Sequence, residues 1–175
     1  MDTLNPVPND RLAPEFTLPD LEGHHRSLKD FRNRIVIINF WSAECPWSQR
    51  CDAELRSLLD EWGKQVDLLT VASNADESIE MLKQAATERK LPIVLQDAEQ
   101  TVADLYHAQT TPHLFVLDRD GILRYQGAFD NITFRQREAT VKYLPAAIEA
   151  LLVGNKPEIA QTTPYGCALV RHSAE

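Results

Sequence analysis

A run of β-branched and aromatic residues, Ile35–Phe40, stops at Ser42-Ala-Glu-Cys45, and Pro46 then opens a stretch with helical periodicity. This junction constrains the chain more than any other feature. A short apolar run of this composition reads as a buried central strand. Proline suits the first position of a helix, where its missing N–H would have no partner in any case. Ala53, Leu55, Leu58, Leu59 and Trp62 recur at helical spacing, so the helix spans Pro46–Trp62. Cys45 thus stands at a strand-to-helix joint, where unpaired backbone N–H groups and the helix dipole favour a negative charge. A thiol so placed ionises more readily than a free one, whose pKa is about 8.5, and the thiolate is the nucleophile.

The remaining periodicity fits one α/β domain. Residues Met1–Pro14 read as an arm with three prolines. Glu15–Leu18 and Arg26–Leu28 flank Asp20-Leu-Glu-Gly23 and predict an N-terminal hairpin. Val66–Ala72 is a second buried strand. Glu77–Arg89 follows as a helix, Pro92–Leu95 as a short strand and Gln100–Tyr106 as a short helix. His113–Leu117 and Ile122–Gln126 form a hairpin about Asp118-Arg-Asp-Gly121, since glycine tolerates positive φ. Phe134–Val153 reads as a closing helix despite Pro145, ended by Gly154. Residues 154–175 are then a tail carrying Cys167. Alternating strands and helices followed by an antiparallel hairpin make a three-layer sandwich around a mixed sheet, with helices on both faces.

Composition narrows the function. A net charge of −8 without a basic run argues against nucleic acid. No apolar stretch approaches the length of a membrane span. The first residues, acidic and proline-rich, lack the pattern of a signal peptide, so a cytoplasmic location is expected. An exported one is expected instead if the chain is a trimmed piece. Three cysteines, Cys45, Cys51 and Cys167, suit redox or free thiols better than a disulfide scaffold. His24, His25, His107 and His172 show no metal-ligand spacing, and neither a metal nor a cofactor is expected.

Several segments together resemble a known family. Ala13-Pro-Glu-Phe-Thr-Leu-Pro-Asp20, Ser27-Leu-Lys-Asp-Phe31 and Ile37-Ile-Asn-Phe-Trp41 with Cys45-Pro46 are similar to the redoxin branch of the thioredoxin-like superfamily. That branch includes the AhpC/TSA proteins and the TlpA-like thiol–disulfide oxidoreductases. Thr111-Pro112-His-Leu-Phe-Val-Leu-Asp-Arg-Asp-Gly121 resembles the family's cis-proline strand and its hairpin. The resemblance covers about Ala13 to Val153 and implies a thioredoxin-like domain over 13–153, between an arm (1–12) and the tail. It also implies a cis bond before Pro112, which faces the nucleophile while the preceding backbone pairs with an extended substrate.

Two positions depart from the pattern. TlpA-like proteins usually carry Cys-x-x-Cys, and Ser48 holds the second place here. Peroxiredoxins place a proline and a threonine ahead of the peroxidatic cysteine where this chain has Ile38 and Ser42.

The expected site centres on Cys45 as attacking thiolate. Ser48, one helical turn on, is placed to hydrogen-bond it but cannot resolve a mixed disulfide. Cys51 lies about 9 Å along an intact helix and about 240° around it, so bonding to Cys45 needs the first turns to unwind. Packing under the site is the better reading for Cys51. Cys167 reaches Cys45 if the tail folds back, from the same chain or a second one. Trp41, Pro46, Trp47, Thr111 and Pro112 are the expected substrate-binding residues, Trp41 as core and Trp47 as rim. Glu44 either raises the thiol pKa or faces solvent, and His113 reads as structural because neighbours along a strand point oppositely. The favoured function is thiol–disulfide exchange with protein or small-molecule thiols and disulfides, served by a thioredoxin- or glutathione-type reductant. The alternatives are peroxide reduction through a Cys45 sulfenic acid and a non-catalytic binding module that keeps the fold. The oligomeric state is open.

Overall fold

A computed structural model describes residues 7–174. In chain order the elements are β1 (Thr17–Pro19), β2 (His25–Ser27), β3 (Ile35–Trp41), α1 (Pro46–Trp62), β4 (Val66–Ala72), α2 (Ile79–Arg89), β5 (Val94–Gln96), α3 (Thr101–Leu105), β6 (Thr110–Thr111), β7 (His113–Leu117), β8 (Leu123–Gly127), α4 (Tyr143–Leu152) and β9 (Cys167–Ala168).

The central sheet runs β5-β4-β3-β7-β8. Its β3–β4 and β4–β5 pairs are parallel, and its β3–β7 and β7–β8 pairs are antiparallel. All seven residues of β3 are buried, as befits a middle strand covered on both faces. Side chains alternate across it. Ile35 and Ile37 pack with Leu55 of α1 and with Leu144, Ile148 and Leu151 of α4. Val36, Ile38 and Phe40 pack on the opposite face with Phe16, Val102, Tyr106 and Phe115. Trp41, at the end of β3, joins Leu82 and Ala85 of α2. The result is a three-layer α/β sandwich with a mixed sheet and a small β1–β2 hairpin at its N-terminal side. Each large side chain buried in these layers contributes about 1.5–3 kcal/mol.

Helix α1 and strands β4 and β7 keep the bounds their sequences predict. Two helix starts differ. Ser78 caps α2 by accepting from Met81 N–H at 3.3 Å, so Glu77 stands outside the helix rather than in its first turn. Helix α4 begins at Tyr143, not Phe134, because 134–142 carries no apolar stripe for the core. That segment instead folds onto Asn131, whose carboxamide oxygen accepts from Thr140 and Val141 N–H. Pro145, read as an interruption, lies in the first turn of α4, where its lack of N–H costs little.

The arm and the tail both pack on the domain. Residues 1–6 lie outside the described residues. Beyond them Val7 is buried, Leu12 bridges Ile122, and Ala13 N–H donates to Gly121 O at 3.0 Å. At the other end Gln161 bridges Gln126, β9 pairs with β6, and Leu169 enters the core. The tail is a strap laid across the edge of the sheet where β4 and β8 end and β7 begins.

Candidate active site

Cys45 is the N-cap of α1, with extended backbone (φ −79°, ψ 120°) and Pro46 at the first helical position. Its carbonyl accepts the first helical bond, from Gln49 N–H at 3.0 Å. The joint before it is held from outside. Glu77, freed from α2, accepts from Ser42 Oγ–H and from Ala43 N–H (3.0 Å), while Arg89 donates to Ala43 O. The side chain of Arg89 also donates to Asp52 Oδ2 at 3.0 Å, and Trp41 Nε1–H donates to the same oxygen at 2.7 Å. Trp41 is therefore a buried strut behind the loop and does not line the site.

Two other chain segments meet at the thiol. The Thr111–Pro112 bond is cis, and Cys45 Sγ lies 3.0 Å from Thr111 O. Strand β9 pairs antiparallel with β6 in a register that sets Cys167 opposite Thr111. Cys45 Sγ and Cys167 Sγ then lie 2.7 Å apart, although 122 residues separate them in sequence. Gly166 permits this approach, since a Cβ there would stand 2.2 Å from Thr111 O. Tyr165 closes the far side with its ring edge-on to Trp47, 5.0 Å between centroids. Arg50, under Trp47, makes a two-armed ion pair with the buried Asp130 at 2.9 Å for each arm.

The two thiols are electrostatically unequal. Burial pushes Cys45 up, but hydrogen bonding from the Cys167 and Thr111 side chains and from the Ser48 and Cys167 N–H groups outweighs it, leaving the thiol below the ordinary 9.0. Cys167 is pushed up to about 11 by burial and by the neighbouring Cys45 charge, to which it donates. Of the two thiols, Cys45 is the easier to ionise.

The other expected site residues fall as follows. Ser48 is fully buried and its hydroxyl accepts from Ser42 N–H at 3.3 Å, so its backbone, not its side chain, serves the thiolate. Cys51 is fully buried among Leu55, Leu114 and Tyr125, its thiol pushed far up by burial and by Asp52, and the helix between it and Cys45 is intact. Pro46 is exposed and Trp47 half-buried at the rim, while Glu44 faces solvent. His113 accepts from Gln109 N–H at 3.2 Å through Nδ1 and stacks on Phe115. Burial pushes its pKa down to about 4, so it is neutral at physiological pH. Residue-level reading missed Glu77, Arg50–Asp130 and Tyr165. Glu77 was hidden by an expected helix, and the ion pair spans 80 residues, so no local pattern signals it.

The sequence model of the AhpC/TSA family matches residues 10–126. The thiol-disulfide oxidoreductase ResA of Geobacillus kaustophilus is 33% identical over 112 residues, 62% of this chain and 63% of that protein. The chain thus spans under two thirds of the curated relative it matches. A crystal structure of an uncharacterized conserved protein from Geobacillus kaustophilus is 28% identical and superimposes over 98% of this chain and 96% of that one, with a TM-score of 0.89. The thioredoxin domain of a thiol-disulfide oxidoreductase from Bacteroides vulgatus, 23% identical, covers 75% of this chain and 93% of that one at a TM-score of 0.62, and shows the shared thioredoxin-like fold.

Proposed function

This chain belongs to the AhpC/TSA family, and on that footing we propose that it is a thiol–disulfide oxidoreductase in which Cys45 attacks and Cys167 resolves. The observation that carries the reading is the 2.7 Å separation of the two sulfurs beside a cis-proline.

The chemistry follows from the proton inventory. The Cys45 thiolate attacks a substrate disulfide, forming one mixed disulfide and expelling one substrate thiolate. Once Cys45 is bonded, its charge is gone, and two of the causes that hold the Cys167 proton go with it. Cys167 gives its proton to the departing thiolate and attacks the Cys45 sulfur. The second substrate group leaves as a thiolate that takes its proton from solvent, and Cys45–Cys167 becomes a disulfide. Two electrons and one proton have passed from the protein, and an external dithiol restores it. The order of attack is thus built into the charge coupling. The third cysteine takes no part.

Disulfide substrates are supported over peroxides by Ser42. Its hydroxyl donates to Glu77 and accepts from Glu44 N–H at 3.3 Å, so it is engaged away from the thiol. The partners implied are thiols and disulfides of small molecules or proteins. Among the described residues no helix is long and apolar enough to cross a membrane. The test is stoichiometric: reaction with excess 2-hydroxyethyl disulfide should consume two thiols per chain and release two mercaptoethanols. One thiol consumed, with a stable adduct on Cys45, would refute resolution by Cys167.

A further inference from the structure

The groove beside the cis-proline is already filled. Strand β6 offers its edge to an extended chain, and β9 takes it by antiparallel pairing, Thr110 with Ala168 and Thr111 with Cys167. Beyond the pair, Leu169 N–H donates to Gln109 O at 3.1 Å. Val170 is held at both polar atoms, its N–H by Asn74 Oδ1 (2.9 Å) and its carbonyl by Ala75 N–H (3.0 Å) and Gln100 Nε2 (2.8 Å). Leu169 is buried in the core, whereas Pro164–Cys167 are only half-buried. Main-chain pairing at a strand edge, with a side chain set in a pocket, is how extended peptides are bound in general.

We propose that residues 163–170 are a tethered substrate mimic that decides which disulfides the site accepts. The inference rests on the redox reading above. Cys167 occupies the place that the cysteine of an incoming polypeptide would take, and the strand around it occupies the polypeptide's backbone sites. A small disulfide needs only the half-buried 164–167 stretch to lift, pivoting on Leu169 and Val170. A polypeptide needs the whole strand displaced, anchor included, against an intramolecular competitor whose effective concentration is about millimolar. The site in its native form therefore takes low-molecular-weight disulfides and refuses extended protein ones. Gly166 is the specificity-determining position, because any side chain there strikes Thr111 O and drives the strap off the edge.

The test uses the full chain and the Gly166→Val variant, with folding checked by circular dichroism. A fluorescent peptide covering residues 163–170 and carrying Cys167→Ser reports groove occupancy without any redox step. The native chain should leave it unbound, and Gly166→Val should bind it at least about tenfold more tightly. Leu169→Ala, which loosens the anchor from outside the groove, should shift binding in the same direction. In parallel the native chain should react with 2-hydroxyethyl disulfide at least about tenfold faster than with an unfolded protein disulfide, and Gly166→Val should narrow that ratio. Peptide binding to the native chain as tight as to both variants would overturn the proposal. A Cys45 inert to both disulfides would end the redox reading instead, and the peptide measurement would still decide whether the tail fills the groove.

Discussion

Cys45 and Cys167 meet at 2.7 Å, yet unlike forces bring them there. Cys45 is positioned locally. A buried strand, a short loop and a proline-started helix set its backbone within a dozen residues, and the helix supplies the Ser48 N–H that helps to lower its pKa. Cys167 is positioned from afar. A two-residue strand, a missing side chain at Gly166, the Tyr165 ring on Trp47 and the Leu169 anchor hold it, each contributed by contact with a distant segment. Cys45 therefore belongs to the buried frame, whereas Cys167 sits on a half-buried stretch of the tail. Two thiols divided this way can separate without disturbing the core.

Substitutions can break that comparison at either end. Cys45→Ser should have the largest effect and bring disulfide exchange to background, about a thousandfold loss or more in thiol release. Next, Cys167→Ala should spare the first attack but stop resolution, so that turnover falls about a hundredfold and a mixed disulfide accumulates on Cys45. The same change removes the thiol that donates to Cys45, so the pH profile of Cys45 alkylation should move to higher pH. Asp130→Asn breaks the two-armed pair with Arg50 beneath Trp47 and should cost about 1–3 kcal/mol in urea denaturation. Cys51→Ala should mark the small end, with turnover unchanged and stability reduced by about 1–2 kcal/mol for the volume lost in the core.

The frame itself carries a pH signature independent of the thiols. Burial raises Asp52 to about 6, so between its unfolded pKa of 3.8 and about 6 the folded state holds the extra proton, and this group's contribution falls as pH rises. Burial lowers His113 to about 4 from 6.5, so the unfolded state holds the extra proton there, and this contribution rises with pH. The two oppose each other across nearly the same window. Asp52→Asn should leave His113 alone and make stability climb more steeply from pH 4 to 6.5, by about 3 kcal/mol at most. An unchanged slope in urea midpoints would contradict the assignment.

What was legible in the chain follows the same local-versus-distant division. The β3–α1 joint, the bounds of α1, β4 and β7, and the placement of Cys45 at the head of α1 are written in contiguous residues whose periodicity and proline placement have direct physical meaning. The α4 start was misjudged because charged residues after Phe134 can be wound on paper into a helix, while only an apolar stripe keeps one on the core. Glu77 was absorbed into an expected helix for a similar reason, before Ser78 revealed the true cap. Ser48 was assigned by spacing alone, which placed it on the correct helical face but did not reveal Ser42 N–H as its partner. The choice between Cys51 and Cys167 was not decidable from the sequence. It depends on a tail pairing with β6, and two residues of strand carry no periodicity to detect.

The most direct measurement is disulfide mapping by mass spectrometry after one equivalent of a small disulfide. The expected product is a Cys45–Cys167 cross-link within single chains, with Cys51 still a thiol. A Cys45–Cys51 link, or Cys45 carrying the reagent while Cys167 stays free, would contradict it.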